Sequence, residues 1–435
     1  LILQRTLWQK SCSESMMMNK SLLLISAMVA LALGFMQEVA EATCTDCHSS
    51  EENVLMQHNR RHGKQHKTSS SKNEHSCYLA IKEVQTQWAN AILAVTESYP
   101  DGDFIGAAEQ AIHDLYGYDI GTVMFKPTKA KEVPFRHTPS GALSYFVGYE
   151  ALQQVGQEGI EEDGGFAIND GYGWSKVEIN NSDISCVGDF ALAHGYYYFT
   201  NKTDQTKVAG VEYSWVYKKV DGKLKIIVHH SSVPFPVEAP APALMEEGIA
   251  RPRRGRSQRV YHEASHERKP RPDCNKAIFA TQEAWKHAIL NISDTYQDNS
   301  ENDDYIQVAE DQINELYGYD IGPVLFKPTK AVEKPFRPTF IDALSYFVGY
   351  DAIKPDGSPE DGGFAINNGD GWSKVRIEND KTSCMGDYVF AQGYYYFTPK
   401  GAENEVEVEY SWVYKWMENG KMKIILHHSS VPYNP

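Results

Sequence analysis

Apolar residues follow two regimes along the chain. From Cys77 to Ser98, Ala80, Val84, Trp88, Ala91, Ile92 and Val95 recur at intervals of three and four, which predicts an amphipathic helix of about six turns. A second helix is expected from an Asp103 cap, with Phe104, Ala107, Ala108, Ala111, Ile112 and Leu115 on one side. Gly117 and Gly121 break that period, and everything after them reads as strand: Thr122 to Thr128, Ala142 to Gly148, Trp174 to Ile179, Ser185 to Thr200, Val208 to Val220 and Lys223 to Ser232. Val211, Tyr213, Trp215 and Tyr217 share one face against Glu212, Ser214 and Lys218. Asp221-Gly222 joins the last two strands as a hairpin. Helices first, then a strongly bent antiparallel sheet, make an α+β unit.

The chain writes this pattern twice. Leu115–Gly121 returns as Leu316–Gly322, Phe125–Ala130 as Phe326–Ala331, and Ala142–Tyr149 as Ala343–Tyr350. Asp163–Asn169 returns as Asp361–Asn367, and Gly195–Thr200 as Gly393–Thr398. The hexapeptide His229-His230-Ser231-Ser232-Val233-Pro234 closes the first unit and recurs as His427–Pro432. This is a tandem duplication of a whole domain, over residues 77–235 and 274–435. Between the two copies, the Pro- and Arg-rich residues 236–273 read as a linker.

The region before the first copy reads as a targeting segment. Residues 1–15 are taken to lie upstream of a start at Met16, Met17 or Met18. Asn19-Lys20, the apolar run Ser21–Met36 and the small residues around Ala40-Glu41-Ala42 make a signal peptide over 16–42. That run is short for a membrane span of about 20 residues, and no second one follows, so no span is expected after cleavage. Residues 43–76 are polar and aperiodic, a flexible arm. Its Cys44-Thr45-Asp46-Cys47-His48 formally matches a haem attachment motif but lacks the apolar surroundings a haem needs. A local disulfide or a chance match is the simpler reading.

Composition narrows the classes. With 42% hydrophobic and 12% aromatic residues in 435, the chain is folded over most of its length, and a net charge of -16 argues against nucleic acid as a partner. Cys77 and Cys186 recur in register as Cys274 and Cys384, which suggests one disulfide per unit joining the first helix to a strand, with buried free thiols as the alternative. Asn180, Asn201 and Asn291 head glycosylation triplets suited to a secretory route.

Duplication also filters the candidate chemistry, because a site used by both units must be spelled in both. His113, His137 and His194 become Asn314, Pro338 and Gln392, and His287 aligns with Asn90. Only the pairs His229/His230 and His427/His428 survive. Adjacent strand residues face opposite sides, so each cavity receives one imidazole, too few for a zinc site of three or four ligands. Magnesium or manganese held by carboxylates such as Asp163 and Asp361 stays open. The other survivors are hydroxyls: Thr128 and Thr329, Tyr145 and Tyr346, the Tyr triplets, and Ser231/Ser232 with their copies. Hydroxyls and one imidazole lining a concave sheet can orient a small oxyanion and a water. Core filling by the tyrosines and a turn at Ser-Ser-x-Pro compete for the same residues.

At these residues the chain resembles the iota-class carbonic anhydrases of algae and bacteria. The resemblance is carried by Lys-Pro-Thr, Leu-Ser-Tyr-Phe, Gly-Gly-Phe and the terminal His-His-Ser-Ser-x-Pro, and it covers both units. That family's domains are related to the association domain of calcium/calmodulin-dependent protein kinase and share its cone-shaped, NTF2-like fold. The resemblance implies two tandem cones that interconvert carbon dioxide and bicarbonate, in some members without any metal. Carried over position by position, the residues holding bicarbonate are Thr128, Tyr145, His229 and Ser231, and Thr329, Tyr346, His427 and Ser429. Strand parity alone allows His229 with Ser231 or His230 with Ser232, and the choice rests on the resemblance. Without metal, His229 or Tyr145 would have to accept the proton of water. No cofactor is expected, zinc least of all. The rival readings are a non-catalytic oligomerisation module of the association-domain type, here without a kinase signature, and a small-molecule-binding domain. A dimer, or a pseudo-dimer of the two repeats, is expected. Secretion is the expected destination, or the chloroplast of an alga with complex plastids.

Overall fold

A computed structural model of the chain describes residues 70–208, 210–236, 272–298 and 304–434. The expected signal peptide, the Cys44–His48 motif and linker residues 237–271 lie outside the described residues. Repeat 1 opens with helix α1 (Ser70–Ser98), which starts before the expected Cys77, and α2 (Phe104–Leu115). Asp103 caps α2 by accepting from the Gly106 amide, as its short carboxylate suits it to do. Then come β1 (Met124–Lys126), α3 (Pro139–Val147), α4 (Tyr149–Gln154), β2 (Trp174–Val187), β3 (Phe190–Asn201), β4 (Val211–Val220) and β5 (Lys223–Ser232). Repeat 2 copies the series as α5 (Cys274–Asp298), α6 (Asp304–Leu316), β6 (Leu325–Lys327), α7 (Phe340–Val348), α8 (Tyr350–Ile353), β7 (Trp372–Met385), β8 (Tyr388–Pro399), β9 (Val406–Trp416) and β10 (Met422–Ser430).

Two expected strands fold otherwise. Ala142–Gly148 and its copy are helices α3 and α7. Both are buried on nearly all sides, and each is started by a cap: Thr138 and Thr339 accept from the third amide of the turn, and Pro139 sits in the first turn of α3. The segment expected as Thr122–Thr128 shrinks to three residues and pairs in parallel with β5, in register Phe125↔His229. The sheet order is β1-β5-β4-β3-β2, antiparallel except for that edge. In the expected β4–β5 hairpin, Asp221 and Gly222 take φ of 49° and 81°, the left-handed pair that a two-residue turn needs.

β2 and β3 stay paired over their whole length, with register shifts at Trp174/Lys176 and Asn181/Asp183. Such bulges bend a strand and increase its twist, which helps the sheet wrap α1. Gly195 sits at the second bend, where a Cβ would lie 2.0 Å from the Asn180 carbonyl oxygen. Helix α1 buries Ile81, Val84, Trp88, Ile92 and Val95 against one face of the sheet. Cys77–Cys186 ties it to β2, and Cys274–Cys384 does the same in repeat 2, across sequence separations of 109 and 110 residues. Closing loops of that length contributes about 4–5 kcal/mol each in the chain-entropy account.

The other face of each sheet packs on its counterpart in the other repeat. Met124, Leu192, Val216 and Val228 meet Leu325, Phe390, Val413 and Leu426 in one apolar cluster. Beside it lie two ion pairs whose side chains are only 1% exposed, Lys126–Glu409 at 2.9 Å and Lys327–Glu212 at 2.7 Å. His230 and His428 stack at 3.9 Å between them, and each imidazole bonds two serines of the opposite repeat. Each of these ion-pair, imidazole and serine contacts has its mirror, the pattern of an isologous interface. No helix among the described residues is long and apolar enough to cross a membrane.

Candidate active site

The site is built by an irregularity in β5. Leu224 and Ile226 face the helices, so plain alternation would send His230 and Ser232 inward as well. Register instead slips between Tyr217↔Ile226 and Val216↔Val228, leaving Ile227 as an extra residue. A bulge of one residue exchanges the two faces beyond it. His229 and Ser231 therefore turn toward their own repeat's interior, and His230 and Ser232 toward the other repeat. In β10 the slip at Ile425 does the same for His427 and Ser429.

His229 is 2% exposed and lies among Trp88, Tyr116, Phe125 and Trp215. Burial pushes its pKa, and that of His427, well below the usual imidazole value, so both are neutral near pH 7. The Trp285 ring N–H can only donate, and it donates to the Tyr317 hydroxyl at 3.0 Å. That hydroxyl, 2.9 Å from His427 Nδ1, keeps its own proton to give, and we assign that proton to Nδ1 and the imidazole proton to Nε2. Nε2 in turn donates to the Tyr395 hydroxyl at 3.2 Å. Repeat 1 repeats the first links, Trp88 to Tyr116 at 3.1 Å and Tyr116 to His229 Nδ1 at 2.8 Å. There, His229 Nε2 has no partner among the described residues.

Beyond this chain lies a cluster of hydroxyls. β1 runs beside β5, so Thr128, just past β1, reaches Ser231 at 3.0 Å, as Thr329 reaches Ser429 at 3.1 Å. The Tyr197 hydroxyl lies beside Ser231 and Thr128, and that of Tyr395 beside Ser429 and Thr329, near enough to act on their electrostatics. Tyr145 comes from α3, and its hydroxyl accepts from the Lys129 amide at 3.4 Å, one residue from Thr128; Tyr346 matches it on Lys330. Thr128 and Ser231 meet directly and Tyr145 reaches the residue next to Thr128; His427 comes up to its group through Tyr395, whereas no hydrogen bond among the described residues joins His229 to the hydroxyls. Burial raises the pKa of Tyr145, Tyr197, Tyr346 and Tyr395, so these phenols keep their protons. At neutral pH they are donors.

A cavity of about 370 Å³ opens beside the cluster in each repeat. In repeat 1 its wall includes Lys129, Tyr145, Asp163, Phe166 and Trp174, and in repeat 2 Lys330, Tyr346, Asp361, Phe364 and Trp372. Asp163 holds Arg136 at 2.8 Å, and Asp361 takes two bonds from Arg337 at 3.0 and 2.8 Å. Desolvation raises both carboxyl pKa values, against the pull of a serine hydroxyl and that arginine. These carboxylates anchor the loop that walls the cavity. Among the described residues no three of His, Cys, Asp and Glu converge as metal ligands. A larger open groove of about 800 Å³ lies across the same loop, but none of Thr128, Tyr145, His229 and Ser231 lines it.

Tyr197 and Tyr395 stand in the surviving Tyr triplets but not among the four residues carried over in each repeat, and Tyr116, Tyr317, Trp88 and Trp285 behind them were not singled out as site residues. A signal was present for the first two. In β3, Ala191, Ala193 and Phe199 are inward positions, and only the middle tyrosine of the triplet shares their parity.

Comparison with known proteins gives the same picture. The family description "metal-independent carbonic anhydrase" matches residues 79–233 and again 276–431. A metal-independent carbonic anhydrase of Nostoc sp. strain PCC 7120 is 39% identical over 168 residues, 37% of this chain and 78% of that protein. The crystal structure of the iota-carbonic anhydrase from a cyanobacterium, complexed with bicarbonate, shares 36% identity over 40% of this chain and 100% of its own, at a TM-score of 0.35. An NTF2-like superfamily protein from Salmonella enterica shares 13% identity over 37% of this chain and 92% of its own, at a TM-score of 0.22. The chain belongs to the metal-independent carbonic anhydrase family, as a tandem form that carries the family's domain twice.

Proposed function

We propose that each repeat interconverts carbon dioxide and bicarbonate at its hydroxyl cluster, without zinc. One observation carries this reading: Thr128, Ser231 and Tyr197, beside Tyr145 and a cavity of about 370 Å³, recur as Thr329, Ser429 and Tyr395 beside Tyr346 and a second such cavity. As water adds to the carbon, negative charge grows on an oxygen of carbon dioxide. Neutral hydroxyl donors fixed in advance stabilise that charge without reorganising. The imidazole positions a donor: its Nε2–H aligns the Tyr395 hydroxyl. The buried end of this chain is a tryptophan N–H, which cannot pass a proton onward, so the proton released by water leaves through the cavity mouth to solvent. Export, or entry into a complex plastid, follows from reading residues 16–42 as a signal peptide.

The test is carbon dioxide hydration by the whole chain carrying Thr128→Ala and Thr329→Ala together. Loss of one such donor costs about 10²-fold in comparable sites, and a fall of that order is expected with the melting temperature little changed. A rate within twofold of wild type removes the cluster from the reaction. A chelator is expected to leave the wild-type rate unchanged.

A further inference from the structure

The two cavities are not built by one repeat each. Phe235 and Pro236, which follow β5 of repeat 1, line the cavity of repeat 2 beside Lys330, Tyr346 and Phe364. Tyr433, which follows β10 of repeat 2, lines the cavity of repeat 1 beside Lys129, Tyr145 and Phe166. The crossing follows from the interface. β5 and β10 meet where His230 stacks on His428 and where Ser232 and Ser430 reach the opposite imidazoles. Each strand therefore ends pointing into the other repeat. Beyond the strands, the two tails read Val233-Pro234-Phe235 and Val431-Pro432-Tyr433. Proline fixes one backbone dihedral just before the aromatic ring, which limits where the ring can go. Both rings are half-buried although they sit near the ends of their segments.

We propose that each cavity is closed in trans by the aromatic residue of the other repeat's tail, Phe235 over repeat 2 and Tyr433 over repeat 1, so that neither repeat holds a complete site alone. This rests on reading the cavities as the sites of hydration. Phe235 and Tyr433 are closing residues: they wall off an apolar gas from bulk water. Their effect falls on substrate capture, and it falls on the repeat that does not carry them.

The experiment uses the whole chain with one repeat silenced at a time, by Thr128→Ala or by Thr329→Ala. Phe235→Ala added to T128A, where repeat 2 works alone, is expected to raise KM for carbon dioxide at least fivefold with a smaller change in kcat. The same F235A added to T329A, where repeat 1 works alone, is expected to change KM less than twofold. Tyr433→Ala should give the reverse assignment. Phe235→Tyr and Tyr433→Phe keep a ring and should restore KM to within twofold, which separates closure from general damage. Trans closure is overturned if F235A acts on the repeat that carries it, or if both alanine variants leave KM within twofold in both backgrounds. If T128A and T329A each leave the rate untouched, the hydration reading fails first and this one with it.

Discussion

The two sides of the last strand in each repeat carry different work. On the helix side, His229 and Ser231 join Tyr116, Tyr197 and Thr128 in an aligned hydroxyl cluster. On the other side, His230 and Ser232 join the opposite repeat through stacked rings, serines and buried ion pairs. Both sides are buried, polar and duplicated, so duplication marks them as important without saying for what. One extra residue at Ile227 decides which His serves which role. Chemistry and assembly are therefore one residue apart, and a variant on either side should show which role it breaks.

The largest effect is expected on the assembly side. Glu212 and Lys327 are 2.7 Å apart and 1% exposed, with Ser232 also bonded to Glu212 at 3.3 Å. Glu212→Ala leaves the Lys327 ammonium buried without its counter-charge, and breaking a buried pair in this way costs about 3–5 kcal/mol. Urea denaturation should read that loss, while hydration per folded molecule stays near wild type. Replacing both partners by methionine should restore most of the stability, since an apolar pair of similar volume removes the desolvation cost. A loss below about 1 kcal/mol for E212A, against the handicap expected of an unpaired buried charge, would mean the pair is not dry in solution.

Acid should weaken both sides. His229, His230, His427 and His428 all have pKa values lowered well below 6.5, by burial first, and for His230 and His428 also by Lys126 and Lys327. A lowered folded pKa means that the unfolded chain binds the proton more readily. The stability these groups contribute is complete above about pH 6.5 and is lost as pH falls below it, by about 1.4 kcal/mol per pH unit for each imidazole. Glu212 and Glu409 act oppositely: burial raises their pKa, so the penalty for their charge fades as pH falls toward the ordinary carboxylate value and offsets part of the loss. Denaturation midpoints at pH 7.5, 6.5 and 5.5 should therefore decline steeply. His230→Asn with His428→Asn should reduce that slope and leave hydration in place. A flat profile from pH 7.5 to 5.5 would mean the imidazoles reach water.

How far the sequence reaches can be judged on the same strand. Periodicity finds the first two helices, the β4–β5 hairpin and the duplication, because each is a local pattern of apolar spacing or turn residues. It misreads α3 and α7, because a short, almost wholly apolar run fits a buried strand as well as a buried helix, and the capping threonine was the signal to weigh. Parity along β5 could not choose between His229 and His230, because a bulge is set by tertiary pairing: the Gly117 amide bonds the Ile226 carbonyl at 2.9 Å, beside the slip. Thr128 and Ser231 met as expected once β1 lay parallel to β5. The crossing of Phe235 and Tyr433 was not legible, because nothing local to Val-Pro-aromatic names the surface it lands on.

The smallest expected effect separates the two repeats. The Tyr395 hydroxyl bonds His427 Nε2, at 3.2 Å, and lies beside Ser429 and Thr329. The Tyr197 hydroxyl lies beside Ser231 and Thr128, while His229 Nε2 has no hydrogen-bond partner among the described residues. Tyr395→Phe therefore removes a donor from the cluster and strands a buried N–H, whereas Tyr197→Phe removes the donor alone. With repeat 1 silenced by T128A, Y395F should lower kcat about tenfold, near 1.4 kcal/mol of barrier. With repeat 2 silenced by T329A, Y197F should lower it about threefold, the smaller loss expected when one neutral hydrogen bond goes. KM should move less than kcat in both, because the bonds strengthen as charge develops and not on entry of the gas. Equal losses would mean that the imidazole aligns both tyrosines alike in solution, and a larger loss in Y197F would remove His427 from its positioning role.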